Sequence, residues 1–157
     1  MALNKDGSVE NLKYSIERHL KYHLGSTLTF DWEGARFETS GATEWVQERV
    51  MGMGAGTYHR GVGGGLDGQT VPVLLSCNVF VNPNKTTKTN RPYEIRDLLF
   101  NKLRTGTTIG FYAFASGSTS TTTQILKVRD VVTDSPVPND DLLQWNLTVE
   151  IDWLEKW

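Results

Sequence analysis

Two histidines have the spacing that most directly suggests metal chemistry. His19 and His23 lie four residues apart in a segment with helical periodicity, and this spacing lets two imidazoles on one helix face bind the same metal ion. Leu20 stands where the H-E-x-x-H motif has glutamate, and the pair lies beside the apolar stripe of the helix. The histidines are therefore predicted to border the core, and no metal ligand is assigned.

A dense group of glycines could hold phosphate, because glycine lets backbone N–H groups approach an anion closely. Eight of the fifteen glycines fall within residues 52–68, which include the run GVGGG at 61–65. This run continues as Leu66-Asp67, without the Lys-Ser/Thr of a P-loop, and a strand pattern follows where a dinucleotide motif requires a helix. The window is predicted to be a long flexible loop between two strands, and no cofactor is expected.

The sequence also gives little indication of a nucleophilic or acid–base catalytic site. Cys77 is the only cysteine, and it falls on the apolar face of a strand pattern, where a thiol behaves as a small hydrophobic group. Asp140 and Asp141 lie in a turn rich in proline and asparagine, whereas Glu150 and Asp152 project from the solvated face of a strand. No catalytic residue is assigned, and the protein is not expected to be an enzyme.

The elements that position these residues are two helices and several strands. The first helix is predicted over residues 8–24, with Ser8 as N-cap and Gly25 as stop, and the second over 92–103, with Pro92 in its first turn and Gly106 after it. Short extended segments are predicted within 28–38, and strands over 44–51, 71–81, 108–115 and 121–132.

The last strand pattern is the longest, an uninterrupted alternation of apolar and polar residues over 143–153. Antiparallel sheets with one solvated face produce such an alternation, whereas buried parallel strands do not. The predicted fold is a single α+β domain, with two helices packed on one face of a mostly antiparallel sheet and a long glycine-rich loop.

Composition and charge exclude several classes of protein. The chain has 157 residues, with 16 basic and 18 acidic side chains, so its charge of -2 provides no basic field that would hold nucleic acid. No signal peptide or spanning segment is indicated, so synthesis in the cytoplasm without membrane association is expected.

Residues 82–105 carry six basic and two acidic groups, +4 in total, and 130–157 carry seven acidic and one basic, -6 in total. Opposed charges suit head-to-tail contacts between subunits, although solvated surfaces explain them equally well.

Residues 28–37 (LTFDWEGARF) followed by 44–50 (EWVQERV) resemble the opening of the tail terminator family of long-tailed bacteriophages. In that family a first helix leads into an aromatic-rich W-x-x-x-x-F segment and then into a strand that begins W-V/I-x-x. The later order of strand, helix and long alternating final strand matches as well, so the resemblance spans nearly the whole chain. The glycine-rich window is longer here than that family leads us to expect.

The resemblance implies a structural virion protein that forms a ring, usually a hexamer, on the head-proximal end of the tail tube. Such a ring ends tube polymerisation and joins the tail to the neck, so the expected partners are further copies of this chain, the tail tube protein and a neck or connector protein. DNA is expected to pass through without specific binding. Loops that order on docking are the candidate assembly interfaces, and their candidate residues are Gly54, Tyr58, Arg60, Gly64, Lys85, Lys88 and Arg91. Glu150 and Asp152 are the candidate residues facing the lumen.

Other interpretations remain open at the level of sequence. Another neck or head-completion protein would also form a ring around the channel, and a tail-associated protein could attach to the side of the tube. From a different class, a small-ligand-binding or enzymatic α+β domain would explain the five tryptophans as parts of a binding cleft.

Overall fold

A computed structural model describes residues 8–54, 56–60, 66–114 and 121–156. Within them the chain forms two helices and seven strands of one sheet, a single α+β domain as predicted. The elements are α1 (Val9–Leu24), β1 (Phe30–Asp31), β2 (Glu44–Met53), β3 (Thr57–Arg60), β4 (Leu66–Val81), α2 (Arg91–Leu103), β5 (Thr108–Tyr112), β6 (Thr121–Val137) and β7 (Leu143–Lys156). No helix among the described residues is long and apolar enough to cross a membrane.

The sheet has the order β1-β2-β4-β7-β6-β5, and β3 pairs with the first part of β4, next to the end of β2. Every pairing is antiparallel except that of β1 with β2, which is parallel. The three longest strands, β4, β7 and β6, lie side by side in the middle of this order. They therefore form the centre of the sheet, and the remaining strands extend it on both sides.

The first helix begins and ends where the sequence predicts, and the second ends at the predicted residue but begins one residue earlier, at Arg91. The Ser8 hydroxyl accepts a hydrogen bond from the Asn11 N–H at 3.4 Å, and the Gly25 N–H closes the last turn of α1 on the Lys21 carbonyl at 2.9 Å. In α2, proline occupies the first turn, where its missing N–H costs nothing. The chain turns after α2 at Gly106, whose φ of 89° is a conformation that favours glycine.

The core lies between the helices and one face of the sheet. The odd-numbered residues of β4 and β7 point into it, together with the apolar stripes of α1 and α2, and Trp153 is the largest fully buried side chain. Both helices pack on this face, as predicted. We call the opposite face, formed by the even-numbered residues of β4 and β7, the open face.

The predicted glycine-rich loop is the main error of the sequence analysis. β2 continues through Gly52 to Met53, β3 occupies 57–60, and β4 begins at Leu66, five residues before the predicted start. Glycine weakens the periodicity that reveals a strand, but pairing along the length of β4 supplies the hydrogen bonds that keep these segments extended. Residues 61–65 and 116–120 lie outside the described residues.

Three smaller expectations also change. The strand predicted over 108–115 is shorter in the structure, because β5 ends at Tyr112. Within residues 28–38 only Phe30 and Asp31 form a strand, and residues 36–38 do not pair in the sheet. β6 runs five residues past its predicted end to Val137, because β7 pairs with it along this length through two irregularities in register.

The edge strand β5 is capped by polar side chains of α1. The Ser15 hydroxyl accepts from the Tyr112 N–H at 2.8 Å and donates to the Asn11 carbonyl at 2.7 Å, while the Asn11 side-chain oxygen accepts from the Phe114 N–H at 2.9 Å. Ser15 and Asn11 are both buried. They satisfy backbone groups that a sheet edge would otherwise leave unpaired.

Candidate functional site

The open face carries a ladder of neutral polar side chains across its two central strands. Asn146 donates through Nδ2 to the Ser76 hydroxyl at 3.0 Å and to the Asn78 side-chain oxygen at 2.9 Å. The Thr148 hydroxyl donates to the Asn146 side-chain oxygen at 2.9 Å. These groups satisfy one another without a charge, so the middle of this face is polar but neutral.

The predicted lumen residues lie on the same face, next to the ladder. Glu150 accepts from Arg129 Nη1 at 3.2 Å, and Asp152 faces Arg129 Nε at 3.3 Å. Arg129 therefore bridges both carboxylates, and Lys127 stands opposite Asp152 in the register of β6 and β7. The other carboxylate oxygen of Asp152 is buried without a hydrogen-bond partner within the described residues. Arg129 thus pairs with both acids, while Asp130, opposite Glu150 in the register of β6 and β7, adds a further carboxylate to this part of the sheet.

One end of the open face is covered by aromatic side chains. Trp45 is 6% exposed; its ring stacks on that of Phe80 at a centroid distance of 5.2 Å and meets Phe37 at 6.0 Å. Phe37 belongs to the connection between β1 and β2, which therefore crosses the sheet on this side. The W-x-x-x-x-F segment and β2 are thus joined by direct packing of Phe37 on Trp45.

The predicted interface residues of the glycine-rich window lie on a strand, directly after one, or outside the described residues. Gly54 directly follows β2 and donates to the Pro72 carbonyl at 2.8 Å. A Cβ at this position would approach Pro72 Cγ to 2.8 Å, so only glycine fits without a shift. Tyr58 and Arg60 belong to β3, and Gly64 lies outside the described residues. The window therefore extends the sheet beyond the core.

The three predicted residues of the 82–91 segment differ in what they can offer a partner. Lys85 Nζ donates to the Ser40 carbonyl at 2.7 Å, which ties this loop to the β1–β2 connection. Lys88 is exposed. Arg91 is the first residue of α2 and is held by Glu44 through two 2.7 Å hydrogen bonds and by Glu94 at 3.0 Å. Arg91 is committed within the subunit and is not free for docking.

The basic and acidic segments also pair with each other inside the subunit. Arg96 of α2 donates to the Asp134 carboxylate of β6, and Trp145 Nε1 donates to the same carboxylate at 2.8 Å. The Arg96 hydrogen bonds hold the pKa of Asp134 below its usual value. Part of the opposed charge predicted to join neighbouring subunits is therefore neutralised internally.

The histidine pair and the cysteine lie where the sequence predicts. The ring centroids of His19 and His23 are 4.7 Å apart. His19 Nε2, however, lies within hydrogen-bond distance of the Lys102 carbonyl, at 3.0 Å. Burial lowers the pKa of His19. No group of three metal-ligating side chains occurs among the described residues. Cys77 is fully buried, and burial raises the pKa of its thiol.

Glu48, which no sequence pattern singled out, is the least expected residue of the structure. It lies on the core face of β2, opposite Cys77 in the register with β4, and it is fully buried. Neither carboxylate oxygen has a hydrogen-bond partner within the part of the chain that the structure describes. Burial raises the pKa of Glu48 to about 7, and the neighbouring Glu17 carboxylate adds to the rise. The backbone of Glu33 lowers the pKa of Glu48 in part, although it lies outside hydrogen-bond geometry for either carboxylate oxygen.

A groove of about 680 Å³ lies between α1 and the turn that follows β1, and Glu48 is not among the residues that line it. Its walls carry aromatic side chains from three parts of the chain, namely Tyr14, Tyr22, Trp32 and Phe114. Its charged wall residues are two acids, Glu17 and Glu33, whose charges raise the pKa of Glu48, and two cations, Arg18 and Lys21. The turn itself is fixed by Gly34, with φ of 82°, and by the Glu33 carboxylate, which accepts from the Val50 N–H at 3.1 Å.

Comparisons with known proteins support the fold and give no function. No protein-family model matches the chain, and no curated protein matches it. Seven chains of solved structures match. One of them, whose name states no function, superposes with a TM-score of 0.63 at 14% identity, covering 96% of this chain and 97% of its own. The whole chain thus has a structural counterpart of similar length.

Proposed function

We propose that this protein is a structural virion protein that forms a ring at the head-proximal end of a phage tail tube. The ring ends tube polymerisation and joins the tail to the neck. The family resemblance over residues 28–37 and 44–50 suggests this role, and the open face of the sheet is the observation that carries it. A sheet with one face left uncovered by the helices has a broad surface that remains available for assembly.

The chemistry of the open face suits a surface that DNA passes without sticking. Its central ladder is neutral, and Arg129 pairs with both Glu150 and Asp152. Clustered, unpaired lysine and arginine side chains hold phosphate groups, whereas this arginine already has carboxylate partners. In this proposal Glu150 and Asp152 face the channel, and a ring structure that places both on the outer rim would refute that part.

The extension of the sheet beyond the core is the proposed contact with the tube. It consists of the end of β2, β3 and the first residues of β4, together with the end of β7 that pairs with them. Met51 and Met53 are 66% and 47% exposed at its base. Exposed methionines are adaptable apolar groups and suit a protein interface.

The experiment is co-sedimentation with purified tail tubes that lack heads and, separately, with DNA-filled heads that lack tails. The proposal expects binding to tubes, and light scattering should detect a ring, free or on the tube. Binding to heads alone would instead identify a head-completion protein. A monomer that binds neither assembly, but binds a small molecule saturably, would overturn the structural role altogether.

A matched pair of variants sharpens this test. Met51→Ser should weaken tube binding, because it removes an exposed apolar group from the proposed contact. Ile125→Ser, at a residue of β6 that is 60% exposed near the opposite edge of the sheet, should leave tube binding unchanged. Equal losses in both variants would contradict the assigned contact surface, provided that both unfold at the same urea concentration as the parent.

A further inference from the structure

A second cavity, of about 470 Å³, lies between α1 and the edge strand β5. Arg18, His19 and His23 line it from α1, and Thr108 and Tyr112 line it from β5. The described residues that form its walls include no aspartate or glutamate. A cavity of this size accommodates a small molecule, and basic walls without an acid favour a negatively charged one.

Arg18 is the permanent positive charge of this cavity. Its guanidinium lies over the Tyr112 ring, with Cζ 4.3 Å from the ring centroid. It has no carboxylate partner and no side-chain hydrogen bond within the part of the chain that the structure describes. A guanidinium that stacks on an aromatic ring keeps its N–H groups available for an oxyanion. Arg18 is therefore free to bind a ligand, unlike Arg91 and Arg96.

The Tyr112 ring that supports this arginine is itself held in place. The Tyr112 N–H donates to the buried Ser15 hydroxyl at 2.8 Å, which fixes the backbone of the residue. Gly110 leaves the space beside the ring, because a Cβ at this position would lie only 2.9 Å from Tyr112 Cε2. The arginine is therefore positioned before a ligand arrives, which lowers the entropic cost of binding.

The two histidines are held by similar contacts. His19 Nε2 lies 3.0 Å from the Lys102 carbonyl, which can only accept, so this nitrogen carries the proton and Nδ1 is left for a ligand. The exposed His23 ring meets the rings of His19 and Tyr22 at centroid distances of 4.7 and 5.1 Å. The groups whose charge acts on His19 are His23 and Lys102, and both are basic.

We propose that this cavity binds a phosphate group, either free phosphate or that of a small phosphate monoester. Arg18 pairs with the phosphate through its N–H fork, and His23 and the Thr108 hydroxyl donate to the remaining oxygens. A carboxylate has one charge and two oxygens, so it would leave part of this donor set unused. A phosphate monoester carries about two negative charges near neutral pH and has three terminal oxygens. The site lies beside α1 and not on the open face, so it does not depend on ring formation.

The test titrates the full chain with four probes in a chloride buffer near neutral pH. The probes are inorganic phosphate, glycerol phosphate, acetate and a single-stranded oligothymidylate. Binding is followed by NMR of protein labelled at the side-chain nitrogens of arginine and histidine. Both phosphates should shift the Arg18 and His23 signals saturably, whereas acetate at the same concentration should not. Tighter binding of glycerol phosphate than of inorganic phosphate would support a phosphorylated small molecule as the ligand, and the reverse order would support free phosphate.

Three variants locate the binding site. Arg18→Gln should weaken phosphate binding by about tenfold or more, the loss expected for one hydrogen bond to a charged group. His23→Gln should weaken it as well, and because His23 is exposed this variant keeps the core intact. Lys21→Gln removes a positive charge from an exposed residue of the same helix that does not line this cavity, so it should leave phosphate binding unchanged.

Equal phosphate binding by the parent, Arg18→Gln and His23→Gln would overturn the proposal. An equal loss in Lys21→Gln and Arg18→Gln would overturn it too, because binding would then follow the net charge of the helix and not the cavity. Acetate that binds as tightly as phosphate would overturn the assignment to phosphate. Tighter, Arg18-dependent binding of the oligothymidylate than of either phosphate would overturn the assignment to a small molecule.

Discussion

Replacing Glu48 with glutamine should stabilise the protein in neutral and alkaline solution and leave its stability in acid nearly unchanged. The folded state raises the pKa of Glu48 from 4.5 to about 7, because burial disfavours the carboxylate. A group whose pKa is higher in the folded state binds protons more tightly there. Its contribution to stability is therefore fully present below pH 4.5 and is lost as the pH rises through about 7.

The size of this loss follows from the same values. One pKa unit corresponds to ~1.36 kcal/mol, so a rise from 4.5 to about 7 corresponds to ~3.4 kcal/mol once Glu48 is fully ionised in both states. Glutamine keeps the shape of the protonated acid but cannot ionise. Glu48→Gln should therefore match the parent near pH 4 and exceed its free energy of unfolding by up to about 3 kcal/mol near pH 9.

Urea unfolding at a series of pH values measures this difference directly. Glu38→Gln serves as the control, because it makes the same change in net charge at an exposed residue, and its curve should run parallel to that of the parent. If the free energies of unfolding of Glu48→Gln and the parent differ by a constant amount from pH 4 to pH 9, the pKa of Glu48 is not raised by folding. A variant that is less stable than the parent at pH 9 would show that the buried carboxylate has a partner.

Three further substitutions test the packing that positions the candidate surfaces, each by urea unfolding. Arg91→Ala should lower the free energy of unfolding by about 1–2 kcal/mol, because it breaks a bidentate ion pair, whereas Lys88→Ala, at an exposed residue, should change it little. Gly54→Ala should cost about 1–3 kcal/mol through the clash with the proline ring, while Gly41→Ala meets nothing within 4 Å and should be neutral. Ser15→Ala should cost about 1–3 kcal/mol, because a backbone N–H of the edge strand loses its acceptor.

The sequence predicts those elements whose two faces differ most in polarity. The strand at 143–153 alternates without interruption, and the strand at 71–81 carries an apolar residue at every odd position, because one face of each strand meets the core and the other does not. The structure forms both strands, although β4 begins before the predicted start. β3 gives no such signal. β3 forms because it pairs with β4, and the glycine-rich sequence around it has no alternation of apolar and polar residues. Only the tertiary structure therefore reveals this strand.

Glu48 could have been found from the sequence by following the register of its strand. Val46, Glu48 and Val50 occupy alternate positions of β2, so a strand that buries the two valines must also bury the glutamate between them. The ion pairs could not be found in this way. Arg91 lies 47 residues from Glu44, and Arg96 lies 38 residues from Asp134, and nothing local selects these partners.

These internal pairs change how subunit contacts should be understood. Opposed charges on two segments favour head-to-tail docking only if they remain unpaired within one subunit. Here Arg91 and Arg96 are bound by carboxylates of the same chain, and Arg129 bridges the two predicted lumen acids. What remains for assembly is a smaller charge on exposed loops, together with the shape and apolar groups of the extended sheet. In the proposed ring, specificity therefore has to come mainly from surface complementarity, with charge as a minor contribution.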